Sequence, residues 1–459
     1  MTRRLGIACG VIGAAIAGVL GAELIGCTES APGPRNVIII SLDTVRRDHL
    51  PTYGYARPTA PFVDSLARDA LVFDRAFAQE TNTNPSHTSM FTGLYPPAHG
   101  SVANGVRLGA DQTVLAQILR AAGYRTGGFV SGATLQERAS GLSRGFDRYD
   151  DEFPGLRRDG METVKRARAW LSEGSAEQPF FLFVHLYDAH GPYLPPAGYV
   201  GLFQSAEDGP WIERIPDYQR VPDKNGRLVH HANWYVDRYD AMIRYEDDCV
   251  RGLLKGQDLE RSIVVVLSDH GETFHERYGS LGHGAEVHDE QTRIPLLIRV
   301  PGLPHARRSE FTETVDLLPT LTDLLGLPSD PAVQGHSLIA PNQNLGDREF
   351  VFASARPADS HYADRGYRLD RTRRIHSIRS DRWKLIRLPG RETDYVELYD
   401  LTADPGEQSD VAAAHPELRD ELRARLAAWT SLRGADGPVP ETMDPAVLNQ
   451  LQSLGYVGD

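Results

Sequence analysis

The sequence predicts an α/β fold organised around a mainly parallel β-sheet. Three apolar runs, at residues 36–43, 180–185 and 264–269, lack the polar–apolar alternation of a half-exposed strand. Such runs suit strands that are buried on both faces. Helical patterns lie between these runs, at residues 60–69, 113–122, 162–173 and 235–254. Strands that alternate with helices in this way are typical of an α/β fold with a mainly parallel sheet.

The sequence changes character after about residue 345. Residues 349–355, 375–388 and 396–399 have the pattern of antiparallel strands. A closing helix follows, and its apolar residues form one stripe that predicts a core face: Leu418, Leu422, Leu426 and Trp429. We therefore expect a large α/β domain over residues 36–345. A small C-terminal α+β subdomain is expected over residues 346–459, with its last segment, 434–459, wrapped over the surface.

The N-terminus has the pattern of an export signal. Arg3 and Arg4 form a short basic region, and residues 5–22 are apolar. The sequence LIGC at residues 24–27 resembles a bacterial lipobox, in which the cysteine becomes lipidated. We expect residues 1–27 to be a signal peptide with a lipobox and residues 28–35 to be a tether. The protein would then be an extracytoplasmic lipoprotein anchored to the membrane. A plain transmembrane anchor and a cleaved, unlipidated signal are the alternatives.

Composition excludes some classes of function. The chain has 459 residues, of which 41% are hydrophobic and 24% are charged, as in a globular protein with a large core. Its formal net charge of −13 argues against binding to nucleic acid, which requires lysine and arginine to neutralise phosphates. The three cysteines, Cys9, Cys27 and Cys249, argue against a disulfide framework and against a cysteine-based zinc site.

Acidic and imidazole side chains follow two of the predicted buried strands. Asp43 ends the first strand, and Asp269 and His270 follow the strand that begins near residue 264. Ligands of open α/β sheets bind beyond the carboxyl ends of the strands. Two carboxylates and one imidazole at that edge can bind a divalent cation, and with a hydroxyl they suit Mn²⁺, Mg²⁺ or Ca²⁺, with Zn²⁺ as a further candidate. A strand-terminal aspartate on its own is common in loops.

The sequence TNTNPSHTSMFTG, residues 81–93, predicts a turn that leads into a helix. Asn84 is a good N-cap residue, and Pro85 is favoured at the first helical position. Thr83 would then lie just ahead of a helix N-terminus, where backbone N–H groups and the helix dipole favour a bound anion. A hydroxyl at this place can attack a tetrahedral anionic centre. The structural alternative is a capped helix with a surface threonine.

Two further histidines lie in glycine-containing loops. His190 belongs to the sequence YDAHGPY after the strand at 180–185, and His283 stands between two glycines after the Asp269 loop. Either imidazole can contact a substrate oxygen or protonate a leaving group.

Seven ordered segments together resemble the sulfatase family of the alkaline-phosphatase superfamily, and the resemblance covers roughly residues 36–430. The segments are NVIIISLDTVRRDHLPTYGY, TNTNPSHTSMFTGLYPPAHG, LYDAHGPYLPP, VVVLSDHGE, GHGAEVHDEQTRIPLLIRVPG, VDLLPTLTDLLGLP and VELYDLTADPGEQ. The resemblance implies a three-layer α/β/α sandwich, a divalent metal, and hydrolysis of sulfate or phosphate esters.

By position, the resemblance also implies roles for individual residues. Asp43, Asp269 and His270 resemble metal ligands, and Thr83 falls at the nucleophile and so beside the metal. His190 resembles a substrate-contacting histidine, and His283 lies near an expected substrate-binding residue. His87 falls where the family has an arginine, and with Asn84 it is expected to bind substrate.

The departures from the family pattern bear on the chemistry. Sulfatases convert a cysteine or serine at the nucleophile position to formylglycine, whereas oxidation of Thr83 would give a ketone, not an aldehyde. Thr44 replaces the second acid of an Asp-Asp pair, and Ser131 stands where many sulfatases carry lysine. The Asp269-His270 pair is closer to phosphonate and phosphodiester hydrolases of the superfamily, some of whose branches use a plain threonine nucleophile.

We therefore predict a metal-dependent ester hydrolase that uses Thr83 as its nucleophile through a covalent intermediate. No lysine is placed on the motifs, so a singly charged ester such as a phosphodiester is favoured over a doubly charged monoester. The substrate is expected to be a small anionic ester of a glycan, lipid or nucleotide. Three alternatives remain open: a true sulfatase that uses unmodified threonine, a transferase of the phospho group, and a non-catalytic binding descendant.

Overall fold

The structure is a computed structural model, and it describes residues 36–175, 177–277, 279–328, 330–339, 348–357, 362, 366–432 and 445–453. The predictions for the signal peptide and tether therefore lie outside the described residues, as does most of segment 434–459. No helix within the described part of the chain combines the length and apolar character that a membrane crossing requires.

Fifteen strands are described. They are β1 Asn36–Leu42, β2 Leu71–Phe73, β3 Ala76–Phe77, β4 Arg125–Val130, β5 Arg148–Asp150, β6 Phe180–Leu186, β7 Ser262–Leu267, β8 Arg293–Ile294, β9 Leu296–Arg299, β10 Ala306–Arg308, β11 Thr312–Glu313, β12 Val351–Ala355, β13 Ile375–Arg379, β14 Trp383–Leu388 and β15 Tyr395–Asp400.

The helices of the first 325 residues are α1 Pro61–Ala67, α2 Thr83–Thr92, α3 Pro96–His99, α4 Leu115–Ala121, α5 Glu137–Ser140, α6 Gly160–Ser172, α7 Ala232–Leu254, α8 Asp289–Thr292 and α9 Leu317–Leu324. Two helices follow the C-terminal strands, Pro416–Leu432 and Pro445–Ser453. Short 3₁₀ helices occur at Arg47–His49, Pro51–Tyr53, Ala133–Leu135, Asp217–Gln219, Leu259–Arg261 and Thr314–Asp316.

The main sheet has eight strands in the order β10-β2-β9-β7-β1-β6-β4-β5. Strand β1 lies in its middle and pairs in parallel with β6 on one side and β7 on the other. Only β9 runs antiparallel to its neighbours, β2 and β7. The predicted α/β fold with a mainly parallel sheet is confirmed.

Both faces of this sheet are covered, as the unbroken apolar runs require. Ile38 and Ile40 of β1 pack into a core with residues of α1, α6 and α7. Val37 and Ile39 point to the other face and pack with residues of α2, α4 and α9. Because successive side chains of a strand alternate between faces, the one apolar run 37–40 serves two separate cores. This arrangement is the expected three-layer α/β/α sandwich.

The C-terminal residues form a second, antiparallel sheet in the order β12-β13-β14-β15. Residues 375–388 make two of its strands, which are joined by a turn near residue 381. Helix Pro416–Leu432 covers the sheet with the predicted stripe: Leu422, Leu426 and Trp429 are buried. The Trp429 ring stacks on Phe352 of β12, with the ring centroids 4.7 Å apart. The predicted boundary at residues 345 and 346 falls outside the described residues.

Candidate active site

The sheet topology brings three site segments to one edge. Because β1, β6 and β7 are parallel neighbours, their carboxyl ends meet at the same edge of the sheet. Asp43 follows β1, residues 187–193 follow β6, and Asp269 and His270 follow β7. Residues separated by more than 220 positions thereby come into contact: the N–H of Thr44 donates to Oδ1 of Asp269 over 3.2 Å.

Asp43, Asp269 and His270 form a compact group of metal-ligand type. One ligand atom from each lies within 4.8 Å of the others, and all three side chains are fully buried. Among the described residues, no hydrogen-bond partner is found for Asp43 Oδ1, Asp269 Oδ2 or His270 Nε2. Nδ1 of His270 donates to the carbonyl of Gly271 over 3.0 Å, which leaves the lone pair of a neutral ring on Nε2. The donor set and its unsatisfied atoms fit a divalent cation.

The electrostatics of the two carboxyl groups support this assignment. Burial, and then the charge of Asp269, raises the pKa of Asp43 well above its usual range. Burial acts in the same direction on Asp269, but the combined effect of the neighbouring histidines and of the N–H that Thr44 donates outweighs it and lowers the pKa of Asp269. His185, whose pKa burial lowers to about 4, is neutral, and its Nε2 lies 2.9 Å from Oδ2 of Asp43. Among the described residues, no lysine or arginine is found acting on these two buried carboxyl groups.

Thr83 is the first residue of helix α2, and Asn82 is its N-cap. The prediction that Asn84 caps this helix is therefore wrong. The side-chain amide of Asn84 instead donates to the carbonyl of Val106 over 2.9 Å, so it does not cap the helix. The backbone N–H of Asn84 donates to the side-chain oxygen of Asn104.

The Thr83 hydroxyl lies at the metal-ligand group. It is fully buried and makes no hydrogen bond of normal geometry within the described residues. It is nevertheless near enough to the Asp43 carboxyl to lower the pKa of that group, against the larger effect of burial. A buried hydroxyl at the N-terminus of a ten-residue helix, beside two carboxylates, is placed as a nucleophile would be.

His87 and Asn84 were predicted to bind substrate, but their hydrogen bonds indicate a supporting role. Nδ1 of His87 lies 2.7 Å from the carbonyl of Thr83, and Nε2 lies 2.8 Å from the Ser41 hydroxyl. Both ring nitrogens are thus engaged by the protein. Burial lowers the pKa of His87 to about 4, so the ring is a neutral tether between α2 and β1. We infer that His87 positions Thr83 and does not replace the charge of an arginine.

His190 and His283 lie together beside the group. Their ring centroids are 4.9 Å apart, and the His283 ring is 4.5 Å from that of His270. Nδ1 of His190 donates to the Gly191 carbonyl over 2.8 Å, and burial lowers the pKa of His190 well below its usual range. Nδ1 of His283 faces the Glu272 carboxylate, 3.1 Å away. His190 is therefore a neutral imidazole, whereas His283 has a carboxylate behind it.

Several residues that line or support the site were not among the predicted site residues. Glu272, which also accepts a hydrogen bond from Tyr193, orients His283. Arg157 donates hydrogen bonds to the carbonyls of His190 and Pro192, so its guanidinium group contacts this loop. Tyr218, from the long segment between β6 and α7, places its ring 5.9 Å from His190. Only Glu272 had a sequence signal, since it ends the SDHGE motif.

The loop that carries His190 is held by a pair of buried carboxyl groups. Oε1 of Glu246, on α7, accepts the N–H of Ala189 over 2.9 Å. Oδ1 of Asp188 accepts the N–H of Gly160, at the start of α6, over 3.1 Å. Burial raises the pKa of Asp188 to about 7, and burial together with the charge of Asp188 raises the pKa of Glu246 well above its usual range.

We expect Glu246→Gln to raise the thermal unfolding midpoint near about pH 8 and to change it little near about pH 5. Acids whose pKa is higher in the folded state than in the unfolded state lose stability as the pH rises through that interval, because the folded protein resists their ionisation. Glutamine keeps the acceptor for Ala189 and does not ionise. Calorimetric unfolding of both proteins at the two pH values measures the effect, and a variant less stable than its parent at the higher pH contradicts it.

Comparisons with known proteins agree with this geometry. The family model described as Sulfatase matches residues 35–327, and the model for the C-terminal part of N-sulphoglucosamine sulphohydrolase matches residues 285–431. An ulvan-active sulfatase of Formosa agariphila is 24% identical in an alignment of 438 residues that covers 87% of this chain and 81% of that protein. A multifunctional alkaline phosphatase superfamily protein of Trinickia caryophylli is also 24% identical, over 86% of this chain and 95% of that protein.

Solved structures share the fold. The phosphonate monoester hydrolase of Agrobacterium radiobacter superposes with a TM-score of 0.68 at 23% identity, over 87% of this chain and 96% of that chain. A protein solved with its substrate D-glucosamine-2-N,6-O-disulfate gives a TM-score of 0.73 at 20% identity, over 89% of this chain and all of that chain. With most of the chain matched by the family model, and with the site at the carboxyl edge of the sheet, this protein belongs to the sulfatase family and is a hydrolase of that family.

Proposed function

We propose that the enzyme hydrolyses singly charged phosphoric esters of the diester type, with Thr83 as the nucleophile. The observation that carries this proposal is the buried, unmodified hydroxyl of Thr83 at the start of α2, beside Asp43 and the other ligand-type atoms. A divalent cation bound there would polarise that hydroxyl and neutralise charge on the ester oxygens. Mn²⁺, Mg²⁺ and Ca²⁺ are the candidates that the mixed oxygen and imidazole donors favour, with Zn²⁺ next.

The chain's own residues divide the remaining work. Asp43, beside the Thr83 hydroxyl, is placed to accept its proton as Thr83 attacks phosphorus. His283, with Glu272 behind it, donates a proton to the leaving alcohol. His190 is neutral, so it can take the proton of the water that later attacks phosphorus. Asp43 returns its proton to the Thr83 oxygen as the Thr83–phosphorus bond breaks, and a phosphate monoester leaves. Nucleophilic catalysis of this kind replaces one difficult displacement by two easier ones.

Charge favours a monoanionic ester. The buried carboxylates of Asp43 and Asp269 contribute two negative charges, which one divalent cation balances. Arg157 is then the one guanidinium found in contact with the His190 loop within the described residues. A phosphate monoester brings two negative charges and a diester brings one, so the diester is better matched to this field.

Sulfate ester hydrolysis by the same Thr83 is the second candidate. A sulfate ester also carries one charge, and the relatives support this substrate: one is described as ulvan-active, and one is solved with a glucosamine disulfate substrate. The formylglycine route is closed to threonine, because its secondary alcohol oxidises to a ketone. A glycan sulfate would then be cleaved through a sulfated threonine and not through a formylglycine intermediate.

A parallel turnover assay decides between these candidates. The enzyme is offered an aryl sulfate, an aryl phosphate and a bis-aryl phosphate, each with Mg²⁺, Ca²⁺, Mn²⁺ or Zn²⁺. We expect the highest kcat/KM with the bis-aryl phosphate. Faster turnover of the aryl sulfate, with Thr83 intact, would replace the first candidate by the second.

The role of His283 predicts a dependence on the leaving group. We expect His283→Ala to slow an alkyl-leaving diester by about 100-fold and to slow a nitrophenyl-leaving diester far less, because a nitrophenolate departs without a proton. Steady-state kcat/KM for the two substrates gives the comparison.

His190→Ala is the matched control, since it removes a neighbouring imidazole that is not assigned to the leaving group. Equal loss on both substrates in His283→Ala would contradict the assignment. A loss confined to the alkyl ester in His190→Ala would move the acid role to His190.

A further inference from the structure

A second group of ligand-type side chains lies away from the catalytic one. It consists of Glu286 and His288, on the segment that leads into α8, and Glu290 within α8. One ligand atom from each lies within 4.8 Å of the others. Nδ1 of His288 is 3.6 Å from Oε2 of Glu286, and both side chains are at most 2% exposed. The His288 ring meets Tyr399 of β15 edge-on at 5.7 Å, so the group faces the C-terminal sheet.

One carboxylate oxygen of this group has no partner. Oε2 of Glu286 is buried and accepts no hydrogen bond from any described residue. Buried polar atoms in folded proteins almost always have a partner, and a buried carboxylate oxygen without one is costly. The exception therefore requires an explanation, and a cation is the partner that a carboxylate favours most.

Acidic side chains surround Glu286. The carboxylates that act on it are those of Glu276, Glu290 and Glu397. Arg277 holds Glu290 through two hydrogen bonds of 2.7 and 3.0 Å. Arg46 pairs with Glu276. Arg46 also pairs with Asp48, and Arg277 also pairs with Glu407, so neither guanidinium serves the Glu286 carboxyl alone.

The next cationic residues outward pair with other carboxylates. Lys384 pairs with Asp289 and Glu407, and Arg379 pairs with Asp289. Those two cations are thus matched by two further carboxylates. None of these described lysine and arginine ion pairs includes Glu286.

We propose that Glu286, His288 and Glu290 bind a second divalent metal ion. One imidazole and two carboxylates are donors typical of Zn²⁺ and Mn²⁺ sites. Arg277 donates to both oxygens of Glu290 and fixes the position of that carboxylate, as hydrogen-bond partners of metal-bound carboxylates do. A cavity of about 230 Å³ lies against Glu290, one of the three proposed ligands, and is also lined by Glu276 and Arg277. Such an ion would fasten the segment before α8 to the C-terminal sheet.

Metal stoichiometry in the whole chain tests this proposal. The variant Asp43→Asn/Asp269→Asn removes the catalytic ligands. After chelation, it is dialysed against Zn²⁺, Mn²⁺ or Ca²⁺, and bound metal and the unfolding midpoint are measured. We expect one equivalent of Zn²⁺ or Mn²⁺ and a rise in the midpoint. Adding Glu286→Gln should abolish both, and adding His288→Gln should do the same.

Glu276→Gln in the same background is the matched control, because it removes a neighbouring charge without removing a ligand, and it should keep the bound equivalent. If the Asp43→Asn/Asp269→Asn protein bound no metal, the proposal would be overturned. This result would not depend on whether the variants with additional substitutions fold. Undiminished binding after both Glu286→Gln and His288→Gln would overturn it as well. Activity plays no part in this readout, so it is independent of the proposed reaction.

Discussion

Thr83→Ala and Thr83→Val are expected to reduce kcat/KM by about 1,000-fold or more on every ester that the enzyme turns over, since both remove the attacking oxygen. Thr83→Val keeps the branched shape of the fully buried side chain. Because the hydroxyl makes no hydrogen bond of normal geometry in the described structure, the Val variant should unfold at nearly the parent's midpoint. Kinetics and thermal unfolding of the same preparations provide both numbers.

Thr83→Ser is the matched control. It retains a hydroxyl on the same backbone atom and should retain a substantial part of the turnover. Mass spectrometry of acid-quenched enzyme should find a phosphoryl adduct, or a sulfuryl adduct if sulfate esters are the substrates, on the peptide that contains Thr83. A Val variant that is folded and as active as its parent would eliminate Thr83 as the nucleophile.

Asp43→Asn is expected to separate activity from stability. Turnover should fall by about 1,000-fold or more, because one of two carboxylate ligands is lost. In chelator, the variant should be as stable as the parent or more stable by about 1 kcal/mol, since a buried like-charge pair is relieved. The parent alone should then gain stability when the metal is restored. Denaturant unfolding with and without metal measures these changes.

Asp111→Asn, which neutralises an exposed carboxylate, serves as the charge-matched control and should leave both activity and metal response unchanged. Asp269→Asn should behave as Asp43→Asn does. If Asp43→Asn were still stabilised by metal as strongly as the parent, the assignment of this group as the metal site would fail.

One physical reason made it possible to predict from the sequence both the sheet and the proximity of Asp43 to Asp269 and His270. Buried parallel strands need unbroken apolar runs, and parallel neighbours end at one edge. Side chains that directly follow such runs must therefore converge. The same rule could not predict that Glu246 and Tyr218 lie near the site, because Glu246 lies within helix α7 and Tyr218 lies in the long connection between β6 and α7.

The position of Asn84 shows where local rules fail. Asparagine followed by proline is a strong signal for a helix start, yet α2 begins at Thr83. Distant carbonyl groups at Val106 and Ala139 accept the Asn84 amide, and no local pattern reveals them. The contact of His87 with Ser41 could not be predicted for a similar reason, because Ser41 lies 46 residues earlier in the chain.

The group of Glu286, His288 and Glu290 was equally hidden in the sequence. Its spacing resembles any polar loop before a short helix. What distinguishes it is its burial against the C-terminal sheet and the gathering of acidic side chains from three segments, at Glu276, at Glu286 and Glu290, and at Glu397. Both depend on contacts between residues more than 100 positions apart.

The central place of β1 sets an order of events during synthesis. Its two partners, β6 and β7, begin 144 and 226 residues later, as the pairings Asn36 with Phe180 and with Ser262 show. The first described strand to leave the ribosome must therefore wait until β7 has been synthesised before both of its edges are paired. Until then its apolar run, Val37 to Ile40, is exposed on an unpaired edge, the state in which nascent chains aggregate. Folding should thus be slow and dependent on chaperones that shield this segment, and catalytic competence should arrive only after the seventh strand is complete.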